Sequence, residues 1–117
     1  MVMIYGIKNC DVVQKALKWL DRHGIAYVFH DYKVSGIDPA TITNWLQHVP
    51  LDQVINSRST TFRALSDADK ASINNISEAK ALMIAHNSII KRPILDLGEG
   101  NIIIGWNEEV LTARLLK

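Results

Sequence analysis

The chain has 117 residues, 13 of them Lys or Arg against 12 Asp or Glu, with one cysteine and a net charge of +1. Its length supports one hydrophobic core, or one with a modest insertion, and 48% hydrophobic with 21% charged residues is the mix of a folded globular chain. A balance so near zero gives no field for gripping nucleic acid or an anionic membrane, and one thiol excludes an internal disulfide and any Cys-rich zinc or iron–sulfur site.

The opening segment has no basic residue before Lys8 and no small-residue cleavage pattern, so it does not read as a signal peptide. No apolar run approaches the ~20 residues that span a bilayer, and a cytoplasmic protein away from membranes is expected. Val2 to Tyr5 is a short apolar run closed by Gly6, the pattern of a buried strand. Lys8-Asn9-Cys10-Asp11 then turns the chain. Val13, Ala16, Leu17 and Leu20 recur at helical spacing until His23-Gly24 stops the pattern. Ala26 to Tyr32, rich in aromatic and β-branched residues, reads as a second strand. The result is a β-α-β unit of about 30 residues, the length of one parallel crossover.

Residues 38–86 read as wholly helical. Asp38 and Pro39 are a cap and a first helical residue, and Ile42, Trp45, Leu46 and Val49 form the apolar stripe that follows. Pro50 ends that helix, Leu51, Val54 and Ile55 suggest one more turn, and residues 56–61 read as a polar loop. Ser66 and Ser77 each open a further helix, the second placing Ala79, Leu82, Met83 and His86 on one side. The last third changes period. Ile94-Leu95 and Ile102 to Ile104, joined by a turn rich in Gly and Asn, make a hairpin, and Asn107 caps a final helix with Glu108 and Glu109 in its first turn. The order is β-α-β, a helical insertion over 38–86, then β-β-α, all within a single domain of residues 1–117.

Cys10 stands where a strand meets a helix start. Unpaired N–H groups and the positive end of the helix dipole favour its thiolate there, and Lys8 adds a nearby charge. Arg58 and Arg63 flank a run of hydroxyl residues, and Lys91-Arg92-Pro93 offers two basic groups before a proline whose peptide can be cis. Lys91, next to Arg92 on extended chain, is expected to face the other way. Trp19, Trp45 and Trp106 read as packing residues. Asp31 and Asp96, near strand ends, have no visible acid partner. The four histidines lack i, i+3 or i+4 spacing, so no metal site is expected.

Tyr5-Gly6-Ile7-Lys8-Asn9-Cys10 opening a β-α-β unit, Arg58 after the mid-chain helices, and Ile90-Lys91-Arg92-Pro93-Ile94 before a hairpin together resemble the arsenate reductase (ArsC) family. The likeness runs along the whole chain and is strongest to the YffB-like branch, which is related to the Spx-type regulators. It implies an α/β, thioredoxin-like fold with an all-helical insertion. It also implies Cys10 as nucleophile, Arg92 and a cis Pro93 beside the thiol, and Arg58 approaching from the insertion. Three positions depart from the arsenate reductases. Gly6 stands for a His, Val13 for a hydroxyl residue, and Gly105 for a third arginine, whose loss removes a contact worth about 1.5–3 kcal/mol. Val13 also excludes the Cys-x-x-Cys switch of Spx-like proteins.

The resemblance and the lone thiol together imply a monothiol, glutathione-dependent thiol–disulfide oxidoreductase. Cys10 would form a mixed disulfide that an external thiol must resolve. Glutathione would be a co-substrate, not a tightly bound cofactor, its carboxylates paired with Arg92, Arg58 or Lys8, and glutaredoxin is a candidate partner. Two alternatives remain open at the level of sequence: a glutathione- and glutaredoxin-coupled arsenate reductase, and a non-catalytic Spx-like module that binds a protein such as RNA polymerase.

Overall fold

The structure, a computed structural model, describes residues 1–116. Strand β1 (Val2–Gly6) alternates buried Val2, Ile4 and Gly6 with half-buried Met3 and Tyr5, the period of a strand covered on both faces. Helix α1 (Asp11–Arg22) buries Val13, Ala16, Trp19 and Leu20 and ends where Gly24 takes a φ of +64°. β2 (Tyr27–Asp31) returns parallel to β1, pairing Tyr5 with His30. β3 (Ile94–Asp96) lies antiparallel on the other side of β1, and β4 (Ile102–Ile104) closes the sheet in the order β2-β1-β3-β4. This is a thioredoxin-like α/β fold.

Between β2 and β3 run six α-helices, with two short 3-10 turns: α2 (Tyr32–Ser35), α3 (Pro39–Leu46), α4 (Leu51–Val54), α5 (Thr60–Arg63), α6 (Asp67–Ala71) and α7 (Ile76–Ala85). The chain closes with α8 (Glu108–Leu115), whose cap Asn107 accepts the Val110 N–H through its side-chain oxygen at 3.1 Å. Adjacent strand residues point to opposite faces. Ile4, Leu95 and Ile103 therefore pack with Ala16, Leu20 and Leu111, whereas Ile94 and Ile102 pack with Tyr32, Trp45, Phe62 and Met83. Among the described residues no helix is long and apolar enough to cross a membrane.

Several boundaries differ from the sequence expectation, among them α3, which ends at Leu46 rather than running through Val49 to Pro50. β2 stops at Asp31 because that carboxylate accepts the Lys33 N–H at 2.9 Å and starts α2, so Tyr32 is helical. α5 lies partly within the segment read as a loop, because the Ser59 hydroxyl accepts the Phe62 N–H at 3.1 Å. α7 begins at Ile76, since Asn75 rather than Ser77 caps it. The insertion is also not wholly helical. Ile55 forms an antiparallel bridge with Ile90, flanked by Asn56 N–H to Ile89 C=O at 2.7 Å and Lys91 N–H to Val54 C=O at 2.8 Å.

Candidate active site

Cys10 is the N-terminal cap residue of α1, with extended backbone (φ −106°, ψ 124°), a partly exposed side chain and no side-chain capping bond. Its position is set by how closely the helix approaches the strand. A Cβ on Gly6 would lie 2.8 Å from Cγ2 of Val13, so that buried valine occupies the space a side chain at position 6 would need. The intervening turn is fastened at several points. Cys10 N–H donates to Ile7 C=O at 3.2 Å, the Gln14 side-chain amide donates to Lys8 C=O at 2.6 Å, and Lys8 N–H donates to Asp31 Oδ2 at 3.2 Å. Asp31 thereby serves as a brace between this turn and α2, and Asp96 takes a similar part, accepting from Gly98 N–H at 2.9 Å and Asn44 Nδ2 at 3.2 Å.

The cationic residues come from the other face of the sheet. Arg58, Lys91 and Arg92 line one open cleft of about 590 Å³, together with Asp52, Asn56, Ser57 and Gly105. The Ile55–Ile90 bridge holds the two walls together, so the segment carrying Arg58 and the segment carrying Lys91 and Arg92 are fixed in one register. Arg58 N–H also donates to the Asn56 side-chain oxygen at 3.1 Å, turning the chain toward the cleft. The Arg92–Pro93 peptide is cis, and Pro93 C=O accepts Gly105 N–H at 2.7 Å.

Tyr32 joins these halves. Fully buried, it donates its hydroxyl to Ile90 C=O at 3.3 Å, and the Asn87 side-chain amide donates to its carbonyl at 2.7 Å. Burial pushes its phenol well above the usual tyrosine value. The positive charge of Arg92 pulls it back, and negative charge at Cys10 pushes it up again. One hydroxyl thus feels both the thiol and Arg92.

Arg58 and Arg92 therefore share the cleft, the charges of Cys10 and Arg92 both act on Tyr32, and Lys8, exposed on the turn before the thiol, does not line the cleft. Lys91 does line it, contrary to the strand-alternation expectation, because β3 begins only at Ile94 and residues 91–93 are not paired as strand. Asp52 and Tyr32 carried no sequence signal. One is an ordinary acid in a four-residue helix, and the other looks like the last residue of a strand. Among the described residues no cluster of three or more His, Cys, Asp or Glu side chains is placed to hold a metal ion.

A model of the ArsC family matches residues 5–113. The chain belongs to the ArsC family. Its backbone superposes on a solved structure of the YffB protein with a TM-score of 0.92 at 42% identity, covering 98% of this chain and 99% of that one. An arsenate reductase (ArsC) related protein from Brucella melitensis is also 42% identical, with a TM-score of 0.72 over 97% of this chain and 92% of that one. Among curated relatives, the global transcriptional regulator Spx of Lactiplantibacillus plantarum is 30% identical over 93% of this chain and 82% of its own length.

Within the ArsC family, two of the three departures noted from the sequence are one packing event, because Val13 fits only where position 6 has no side chain. The third has a backbone cause. Gly105 has a φ of +83°, a left-handed conformation that penalises an arginine even though nothing lies within 4 Å of where its Cβ would stand.

Proposed function

We propose that this ArsC-family protein is a monothiol oxidoreductase that uses glutathione. Cys10 thiolate attacks one sulfur of a glutathione mixed disulfide, forming a Cys10–glutathione disulfide and expelling the substrate thiolate. A second glutathione thiolate then attacks that disulfide, forming oxidised glutathione and freeing Cys10 thiolate. No internal thiol can take the second role, since the chain has one cysteine. The observation that carries the reading is the gathering of Arg58, Lys91 and Arg92 in one cleft, with the cis Arg92–Pro93 peptide at its wall and the charges of Arg92 and Cys10 both acting on buried Tyr32. Guanidinium forks there suit the two carboxylates of glutathione. Lys8, close to Cys10 in sequence, is a further cation for the same ligand. Gly105 weighs against arsenate, because it leaves the oxyanion one arginine short.

The test compares native protein with urea-unfolded protein, each treated with oxidised glutathione and followed by mass spectrometry. One adduct per chain on Cys10, forming faster in the native state and removed by reduced glutathione with turnover of a mixed-disulfide substrate, is the expected result. Adduct formation no faster than in the unfolded chain would overturn the reading, as would arsenate turnover above that of the Cys10→Ser variant without mixed-disulfide turnover. Similarity to Spx over most of the chain favours a second reading, an interaction module that docks on a protein such as RNA polymerase. Capture of that partner by Cys10→Ser protein, with no thiol exchange by the native chain, would select it.

A further inference from the structure

The cleft is not uniformly basic. Asp52 lines it together with three cations, Arg58, Lys91 and Arg92. Asp52 sits in α4, whose Val54 C=O accepts from Lys91 N–H at 2.8 Å and whose Leu51 C=O accepts from Ile55 N–H at 3.1 Å, immediately before the bridge to Ile90. The acid and the basic segment are therefore anchored to the same short ladder, with the space between them open.

We propose that Asp52 is the subsite for the ammonium group at the γ-glutamyl end of glutathione, and so the residue that makes the cleft select a zwitterionic thiol peptide over a simple oxyanion. This rests on the glutathione reading above and deepens it. Glutathione carries two carboxylates and one ammonium, and the lining offers three cations and one carboxylate, so each ligand charge meets its opposite. Size agrees. A cleft of about 590 Å³ falls in the range of pockets for drug-sized ligands and far exceeds a tetrahedral oxyanion, which a lone carboxylate would also repel. The remaining lining groups, among them Gln53, Asn56 and Ser57, are neutral donors and acceptors suited to peptide amides.

The experiment crosses a protein change with a ligand change. The disulfide of glutathione and that of its deaminated analogue, in which a glutaryl group replaces the γ-glutamyl group, are each reacted with wild-type, Asp52→Asn and Asp52→Glu protein. The rate of the Cys10 mixed disulfide is read by mass spectrometry under conditions where circular dichroism shows all three folded. Wild type should prefer glutathione by about tenfold, the worth of one charge-assisted contact. Asp52→Asn should bring the ratio close to one, and Asp52→Glu should restore part of it. Because intrinsic differences between the two disulfides cancel in the ratio of ratios, an unchanged preference in Asp52→Asn overturns the proposal while leaving the glutathione reading intact. If neither disulfide reacts faster than with the unfolded chain, the glutathione reading falls and this assignment falls with it.

Discussion

The two faces of the sheet are built differently. On one face, α1 runs for 12 residues and packs with α8 against Ile4, Leu95 and Ile103. On the other, α2, α4, α5 and α6 have only four or five residues each, below the length at which a helix holds itself, and depend on the cluster around Tyr32, Trp45, Phe62 and Met83. The thiol belongs to the first face and the cleft cations to the second. On the proposed function, chemistry and recognition are thus carried by structures of different build, which meet in the shared sheet, where Ile94 and Ile102 face one side and Leu95 and Ile103 the other. Substitutions on the first face should alter the reacting atom, and those on the second should alter how a ligand is held.

The largest effect tests whether the second face unfolds by itself. Trp45 is fully buried and packs edge-on against Tyr5 of β1, with ring centroids 5.2 Å apart. Trp45→Ala should cost about 3–5 kcal/mol. Because Tyr5, Ile94 and Ile102 are shared with the sheet, urea unfolding should shift as one transition, seen alike by fluorescence and circular dichroism. Two separated transitions would show that the faces are independent units. Gly6→Ala tests the first face, driving a methyl group into Val13, and should cost about 1–3 kcal/mol. Val13→Ala removes both γ-carbons, so the double variant should lose less stability than the two single changes summed, a coupling read from denaturation midpoints.

Buried Tyr32 gives the second face its own signature. Burial chiefly, offset by Arg92 and reinforced by Cys10, raises the Tyr32 phenol above its unfolded value of 10.0. A raised folded value adds stability that is complete below pH 10 and lost as pH rises above it, since the unfolded chain releases the proton first. While Tyr32 alone differs between states, the loss is about 1.4 kcal/mol per pH unit. Burial raises Tyr5 in the same direction, so Tyr32→Phe should remove part of the alkaline decline in stability and leave part of it.

The same division explains what could be read from the chain. Hydrophobic period and caps mark β1, α1 and the β3–β4 hairpin because each buries a regular stripe, and Cys10 follows directly from its place between Gly6 and the helix. The insertion is less legible because its short helices are started by single side chains, Asp31, Ser59 and Asn75, that look like ordinary loop residues. The cleft is hardest. Arg58 and Arg92 stood out through the family resemblance, but Asp52 and Lys91 join them only through the bridge of Ile55 to Ile90 across 35 positions of sequence. Local pattern carries no information about such a long-range contact.

The smallest expected effect makes the sharpest distinction between the two faces. Ser59 caps α5 by accepting the Phe62 N–H at 3.1 Å, and it directly follows Arg58. Ser59→Ala should cost about 1 kcal/mol, the worth of one such cap. Phe62, on the same turn, is buried in the second face, so the loss frays α5 locally without emptying the core. Arg58 then samples more orientations before a ligand arrives, and the ordering cost moves to the binding step. On the proposed glutathione reading, KM for glutathione should therefore rise while kcat stays near wild type, because Cys10 and its turn are held by Ile7, Gln14 and Asp31 on the other side. A fall in kcat at unchanged KM would show that the cap acts on the thiol itself, and would break the separation of chemistry from recognition.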